Sequence, residues 1–169
     1  MEKGLNKLSE IWKSQFIDDQ HFDQTNISHK DIFEAMGHIY CPGPFYFYVF
    51  DFSRLAIIYM HPNIKEVLGY ERESISFQSL AMYLHPEDMP RMQRCEQIAL
   101  DFLYRRLPPE EIIKNYKVSY CLRIKKSDGT YAGILHQAIA LSLDENGQIT
   151  SALGVHSDIT PFSTVHKKM

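Results

Sequence analysis

Two histidines, His136 and His156, fall in consecutive apolar segments, HQAIALSL and ALGVHSDI, joined by Asp144-Glu145-Asn146-Gly147. That joint is a strong hairpin signal, and a hairpin there sets the two imidazoles roughly opposite each other, within side-chain reach. Facing histidines can bind a metal or haem, or change charge near neutral pH. The commoner arrangement is a hydrogen bond to each other, to water or to backbone in a partly polar core. A metal site usually wants three or four ligands, and the sequence offers no obvious third; no metal is expected.

Other reactive residue types have plainer readings. Cys41, Cys95 and Cys121 are odd in number and match no zinc spacing. They suit a reducing, cytoplasmic setting. Cys95 falls within a long helical pattern and reads as a structural thiol. Glu87-Asp88 and Glu110-Glu111 sit where helix N-termini favour negative charge. His156-Ser157-Asp158 invites a triad, but consecutive strand residues point to opposite faces. Gly69, Gly129 and Gly147 suit caps and turns rather than a phosphate loop. No enzyme activity is expected.

The totals bound the rest. The 169 residues suit one domain with an appended segment, and 44% apolar with 23% charged residues is ordinary for a globular protein. The net charge is −3, and the nearest basic cluster, Arg123, Lys125 and Lys126, flanks a turn as solvated strand-end residues. Direct nucleic-acid binding is therefore not expected. No apolar run reaches the roughly 20 residues of a membrane span, and MEKGLNKLSE lacks the apolar core of a signal peptide.

These residues need elements to position them. Residues 1–44 read as a helical extension, in which Leu8, Ile11, Trp12 and Phe16 recur at helical spacing, ended by Cys41-Pro42-Gly43-Pro44. Strands are predicted at Phe45–Phe52 and at 55–60, with Asp51–Arg54 as a hairpin connection. Short helices follow in NIKEVLGY and ISFQSLAMYL. A longer helix is predicted over Met89–Tyr104, with Asp88 accepting its free N–H groups and Pro90 in its first turn. Another short helix begins at Pro108-Pro109. Strands at Val118–Lys125, Tyr131–Leu143 and Ile149–Ile159 are joined by Ser127-Asp128-Gly129-Thr130 and Asp144–Gly147. The sum is an antiparallel α+β domain of five strands.

Four stretches in this order carry a family resemblance: YMHPNIKEVLGY (59–70), LHPEDMPRM (84–92), RIKKSDGTY (123–131) and GVHSDIT (154–160). They resemble PAS domains, the last two resembling the PAC half. The resemblance covers 45–160 and leaves 161–169 as a tail. It implies a five-stranded sheet, small helices on one face, first and last strands adjacent near the centre, and a cytoplasmic sensory or signalling role. The stretches IWKSQFIDDQHFD (11–23), LPPEEIIKNYK (107–117) and HQAIALSLDENG (136–147) are similar to the PAS half of Bacteroidetes LuxR-type transcriptional regulators. That narrower resemblance implies a helix-turn-helix output domain in a full-length protein. Two other roles stay open: a ligand-free interaction or dimerisation module, and the sensor of a histidine kinase.

Strand alternation separates Tyr120, Leu122, Ile124, Ile134, His136, Ala138, Ala152, Gly154 and His156 from Cys121, Arg123, Leu135, Gln137, Ile139, Leu141, Leu153 and Val155. In flavin-binding PAS domains the polar residue after Gly-Val in the last strand faces the cofactor; here that residue is His156. The resemblance therefore makes Tyr120, Leu122, Ile134, His136, Ala152 and His156 the candidate pocket for a small molecule. Small Ala138, Ala152 and Gly154 favour an opening there, whereas bulky Tyr120 and Phe47 favour a collapsed core. Both sheet faces are largely apolar, so the second needs a cover. The Leu8, Ile11, Trp12 and Phe16 stripe on Leu153 and Val155, or the same elements of a second chain in a homodimer, would supply it. The cofactor is unknown. The flavin-adduct motif Gly-x-Asn-Cys-Arg-Phe-Leu-Gln is absent, and no histidine lies between Met89 and Leu135 to serve haem, so neither cofactor has motif support.

Overall fold

The computed structural model describes residues 35–37 and 40–162, side chains 113–115 excepted. The chain divides into two units, Met1–Phe33 and Glu34–Met169. The helical stripe through Leu8, Ile11, Trp12 and Phe16 lies outside the described residues.

Strands β1 (Phe45–Asp51) and β2 (Ala56–Met60) form the first hairpin. Its turn is tied by Asp51, whose Oδ1 accepts from the Ser53 N–H at 2.9 Å and the Arg54 N–H at 3.1 Å. Leu55 closes the turn at φ 48°, which delays β2 by one residue against the predicted start. Helix α1 (Ile64–Leu68) ends at Gly69, whose φ of 80° makes the left-handed cap that glycine adopts without steric cost. Helix α2 (Phe77–Tyr83) begins with a capping box in which Ser76 and Ser79 exchange hydrogen bonds. Helix α3 (Met89–Arg106) carries Pro in its first turn, and α4 (Pro109–Asn115) follows.

The last three strands are β3 (Val118–Lys125), β4 (Tyr131–Leu143) and β5 (Ile149–Asp158). Their turns hold Gly129 at φ 88° and Gly147 at φ 76°. Asp128 and Asp144 fold back on them, each carboxylate accepting backbone N–H groups two or more residues on. All pairings are antiparallel, in the order β2-β1-β5-β4-β3. The first and last strands are thus neighbours, and β5 is central.

The main core lies between the sheet's inner face and the helices. Tyr46, Ile64, Leu68, Ile124 and Ile134 are fully buried in it. Each such side chain contributes roughly 1.5–3 kcal/mol. On the outer face Leu153 and Val155 are half-buried, while Ile139 and Leu141 are exposed.

Asp88 departs from the predicted cap. It stands at the N-terminus of α3 without a side-chain cap bond. Its carboxylate instead accepts from Arg123: the backbone N–H at 2.8 Å, Nε at 3.0 Å and Nη2 at 2.8 Å. Charge-assisted bonds to a guanidinium outweigh one cap bond to a neutral amide. Arg123 is accordingly no solvated strand end, and it also reaches Glu87 at 3.1 Å. Lys126 pairs with Asp158 at 3.4 Å.

Candidate ligand cavity

Hairpin β4–β5 pairs His136 directly with His156, and β1 pairs Tyr46 with His156. Equal parity puts all three side chains on the inner face. There they form one hydrogen-bonded line. The Tyr46 hydroxyl lies 2.6 Å from His156 Nδ1, and His156 Nε2 lies 2.9 Å from His136 Nδ1. His136 Nε2 then points toward Glu96 Oε1 on α3, 4.0 Å away. Tyr120 donates its hydroxyl to the same oxygen.

The ends of this line fix its direction. Tyr46 is neutral, because burial pushes its hydroxyl well above the usual phenol range, with the nearby Tyr48 adding to the shift. The carboxylate end sets the direction: a neutral His136 that turns Nε2 toward Glu96 carries its proton there and accepts on Nδ1 from the His156 Nε2–H, which leaves His156 Nδ1 to accept from the Tyr46 hydroxyl. Burial keeps both rings uncharged: it lowers His136 to about 4 and His156 well below the ordinary value, with His136 adding to the latter. Burial also raises Tyr120, followed by its bond to Glu96. The two nitrogens that face each other are consumed by their shared hydrogen bond. Among the described residues no three His, Cys, Asp or Glu side chains converge to hold a metal ion.

This line borders a cavity of about 350 Å³ between the inner sheet face and helices α2 and α3. Tyr48, Phe50, Ile57, Tyr120, Leu122, Ile124, Ala138, Ala152 and Gly154 form its sheet wall with the two histidines. Phe77, Leu80, Ala81, Met92 and Glu96 face them from the helices, and Phe52 and Leu55 stand at the β1–β2 turn. Gly154 makes room for Tyr48: a Cβ there would stand 2.4 Å from the Tyr48 Cζ.

Five of the six candidate pocket residues, Tyr120, Leu122, His136, Ala152 and His156, line this cavity. Ile134 shares their face but is fully buried in the core beside it. Phe47 is not a pocket residue. It pairs with Val155 on the outer face and stacks on Tyr59 and His61, at centroid distances of 5.6 and 4.4 Å. Cys95 is half-buried and does not line the cavity. Ser157 lies across the sheet from His156, as alternation requires, so the two make no triad. Glu96 went unnoticed in the sequence. Its signal was a carboxylate in register with half-buried Met89 and Met92, at spacings of three and four residues on one helical stripe.

The lining contains no lysine, arginine or cysteine. Among the described residues it therefore offers no cation to a flavin nucleotide's phosphate and no thiol for flavin-adduct chemistry. Among the described residues no helix is long and apolar enough to cross a membrane.

Comparison with known proteins agrees with this architecture. The chain is similar to a sensory box histidine kinase/response regulator from Burkholderia thailandensis, with 17% identity, TM-score 0.57, and coverage of 78% of this chain and 87% of that one. A PAS domain from Colwellia psychrerythraea is 21% identical, with TM-score 0.52 and coverage of 78% and 99%. The N-terminal domain of a diguanylate cyclase with PAS/PAC sensor from Marinobacter aquaeolei is 19% identical, with TM-score 0.51 and coverage of 70% and 98%. No curated protein matches the chain. The family model described as the PAS fold matches residues 57–156, more than half of the sequence, and the chain belongs to that family.

Proposed function

We propose that this chain is a sensory module that binds a small molecule between its sheet and helices α2 and α3 and passes the change in packing to an output partner. One observation carries the reading. A cavity of about 350 Å³ opens on a line of polar groups whose last proton donor, His136 Nε2, faces a carboxylate 4.0 Å away. An apolar, collapsed interaction module has no need of such a line, since burying polar groups costs stability that an apolar core avoids. The signalling proteins among the structural neighbours support a sensory role. The similarity of 11–23, 107–117 and 136–147 to LuxR-type regulators supports a helix-turn-helix output and transcription as the process controlled. A homodimer would present two such outputs together. Binding shifts a population between two packings, so the ligand must prefer one of them.

Native mass spectrometry and absorbance of the purified protein test this reading, followed by a thermal-shift screen of small aromatic compounds. We expect a retained or added ligand whose affinity, measured by calorimetry, falls in the His156→Leu variant. Equal affinity in both proteins would remove His156 from the site. A protein that binds nothing across the screen would be an interaction module instead.

A further inference from the structure

From the charges and hydrogen-bonding groups of the cavity we infer that its ligand is an uncharged, largely apolar molecule bearing one hydroxyl, held by that hydroxyl between His136 and Glu96. This rests on the sensory reading above and names the ligand class for the same site.

Three features of the lining lead there. Its size sits near the lower end of ligand pockets, which span about 300–1,000 Å³, and its walls are aromatic and aliphatic. Among the described residues that line it, the one charged side chain is the Glu96 carboxylate, because burial keeps both histidines neutral and no lysine or arginine is among them. An anionic ligand would therefore meet a like charge at the half-exposed Glu96. Lastly, the polar groups ask for both a donor and an acceptor at one point. His136 offers a proton on Nε2, and Glu96 accepts, 4.0 Å away. A hydroxyl oxygen placed about 2.8 Å from each can accept from the first and donate to the second. An ammonium could donate to Glu96 but has no lone pair for His136. A ligand hydroxyl would thus join α3 to β4 through one atom.

The test uses the full chain and three probes of one skeleton: 2-naphthol, 2-methylnaphthalene and 2-naphthoate, titrated by protein-observed NMR at neutral pH. We expect 2-naphthol to bind about tenfold or more tighter than 2-methylnaphthalene, and 2-naphthoate weakest. In the Glu96→Gln variant, 2-naphthoate should gain at least several-fold. Glu96 is half-exposed, so that variant keeps the fold, and its NMR spectrum reports whether it does. Equal binding of 2-naphthol and 2-methylnaphthalene would overturn the hydroxyl clasp and leave the cavity reading standing. Tightest binding of 2-naphthoate, or no gain in Glu96→Gln, would overturn the charge argument. No binding by any probe would overturn both the ligand class and the sensory cavity.

Discussion

Acidification to about pH 5 should weaken the fold through the two buried histidines, and the size follows from their burial. In the unfolded chain a histidine titrates near 6.5, whereas burial holds His136 near 4. Between these values the unfolded state binds the extra proton, so stability is full above about pH 6.5 and falls as pH drops toward 4. At pH 5 the unfolded chain gains about RT ln(1 + 10^1.5), or about 2 kcal/mol, from one such group. His156, lowered by the same burial and by His136, adds a loss in the same direction. The expected loss between about pH 7.5 and pH 5 is therefore at least about 2 kcal/mol, a large part of the roughly 5–15 kcal/mol that holds a domain together. Asp88, held below the usual carboxylate range by its bonds to Arg123, loses its contribution only at lower pH, outside this window. Urea unfolding followed by circular dichroism at several pH values measures the effect. A His156→Gln variant should lose part of the pH dependence, and the variant carrying both His136→Gln and His156→Gln most of it. A change below about 1 kcal/mol in the native protein, or an unaltered profile in the doubly substituted one, would refute the reasoning.

Gly154→Ala should press the Tyr48 ring into the cavity, since the new Cβ would stand 2.4 Å from its Cζ. Affinity for 2-naphthol should fall several-fold, with a stability cost of about 1–3 kcal/mol, read by NMR titration and thermal melting. Arg123→Met leaves the Asp88 carboxylate without its guanidinium, and a loss of stability, reduced by the solvent around Arg123, is expected from urea unfolding at neutral pH. Below the range in which Asp88 ionises, that variant and the native protein should converge.

The sequence was most legible where turns are written in residues that few other structures want. Asp128-Gly129 and Asn146-Gly147 fix both ends of their hairpins, so β3 and β4 have the predicted bounds and His136 meets His156 in register. It was least legible where a choice depends on partners distant in the chain. FYFYVF is aromatic at both parities, so alternation says nothing about which residues face inward, and Phe47 went to the wrong side. Asp88 has a capping residue's identity and place, but Arg123, far along the chain, offers a stronger partner. Leu55 adopts a left-handed conformation that its side chain does not advertise. Glu96 reads as one more charge on a helix until Tyr120 and His136 stand opposite it.

The central place of β5 has a consequence for how the chain comes to be folded. With the order β2-β1-β5-β4-β3, the pairs β1–β2 and β3–β4 can each form as local hairpins, yet no strand pairing joins them until Ile149–Asp158 is available. During synthesis the two halves must wait with apolar faces open while the last strand leaves the ribosome. Closure then brings together segments about a hundred residues apart, such as Tyr46 and His156, at a high entropic cost. A nascent chain stalled before residue 149 should be a chaperone client and protease-sensitive, and both liabilities should vanish once β5 has slotted between its neighbours.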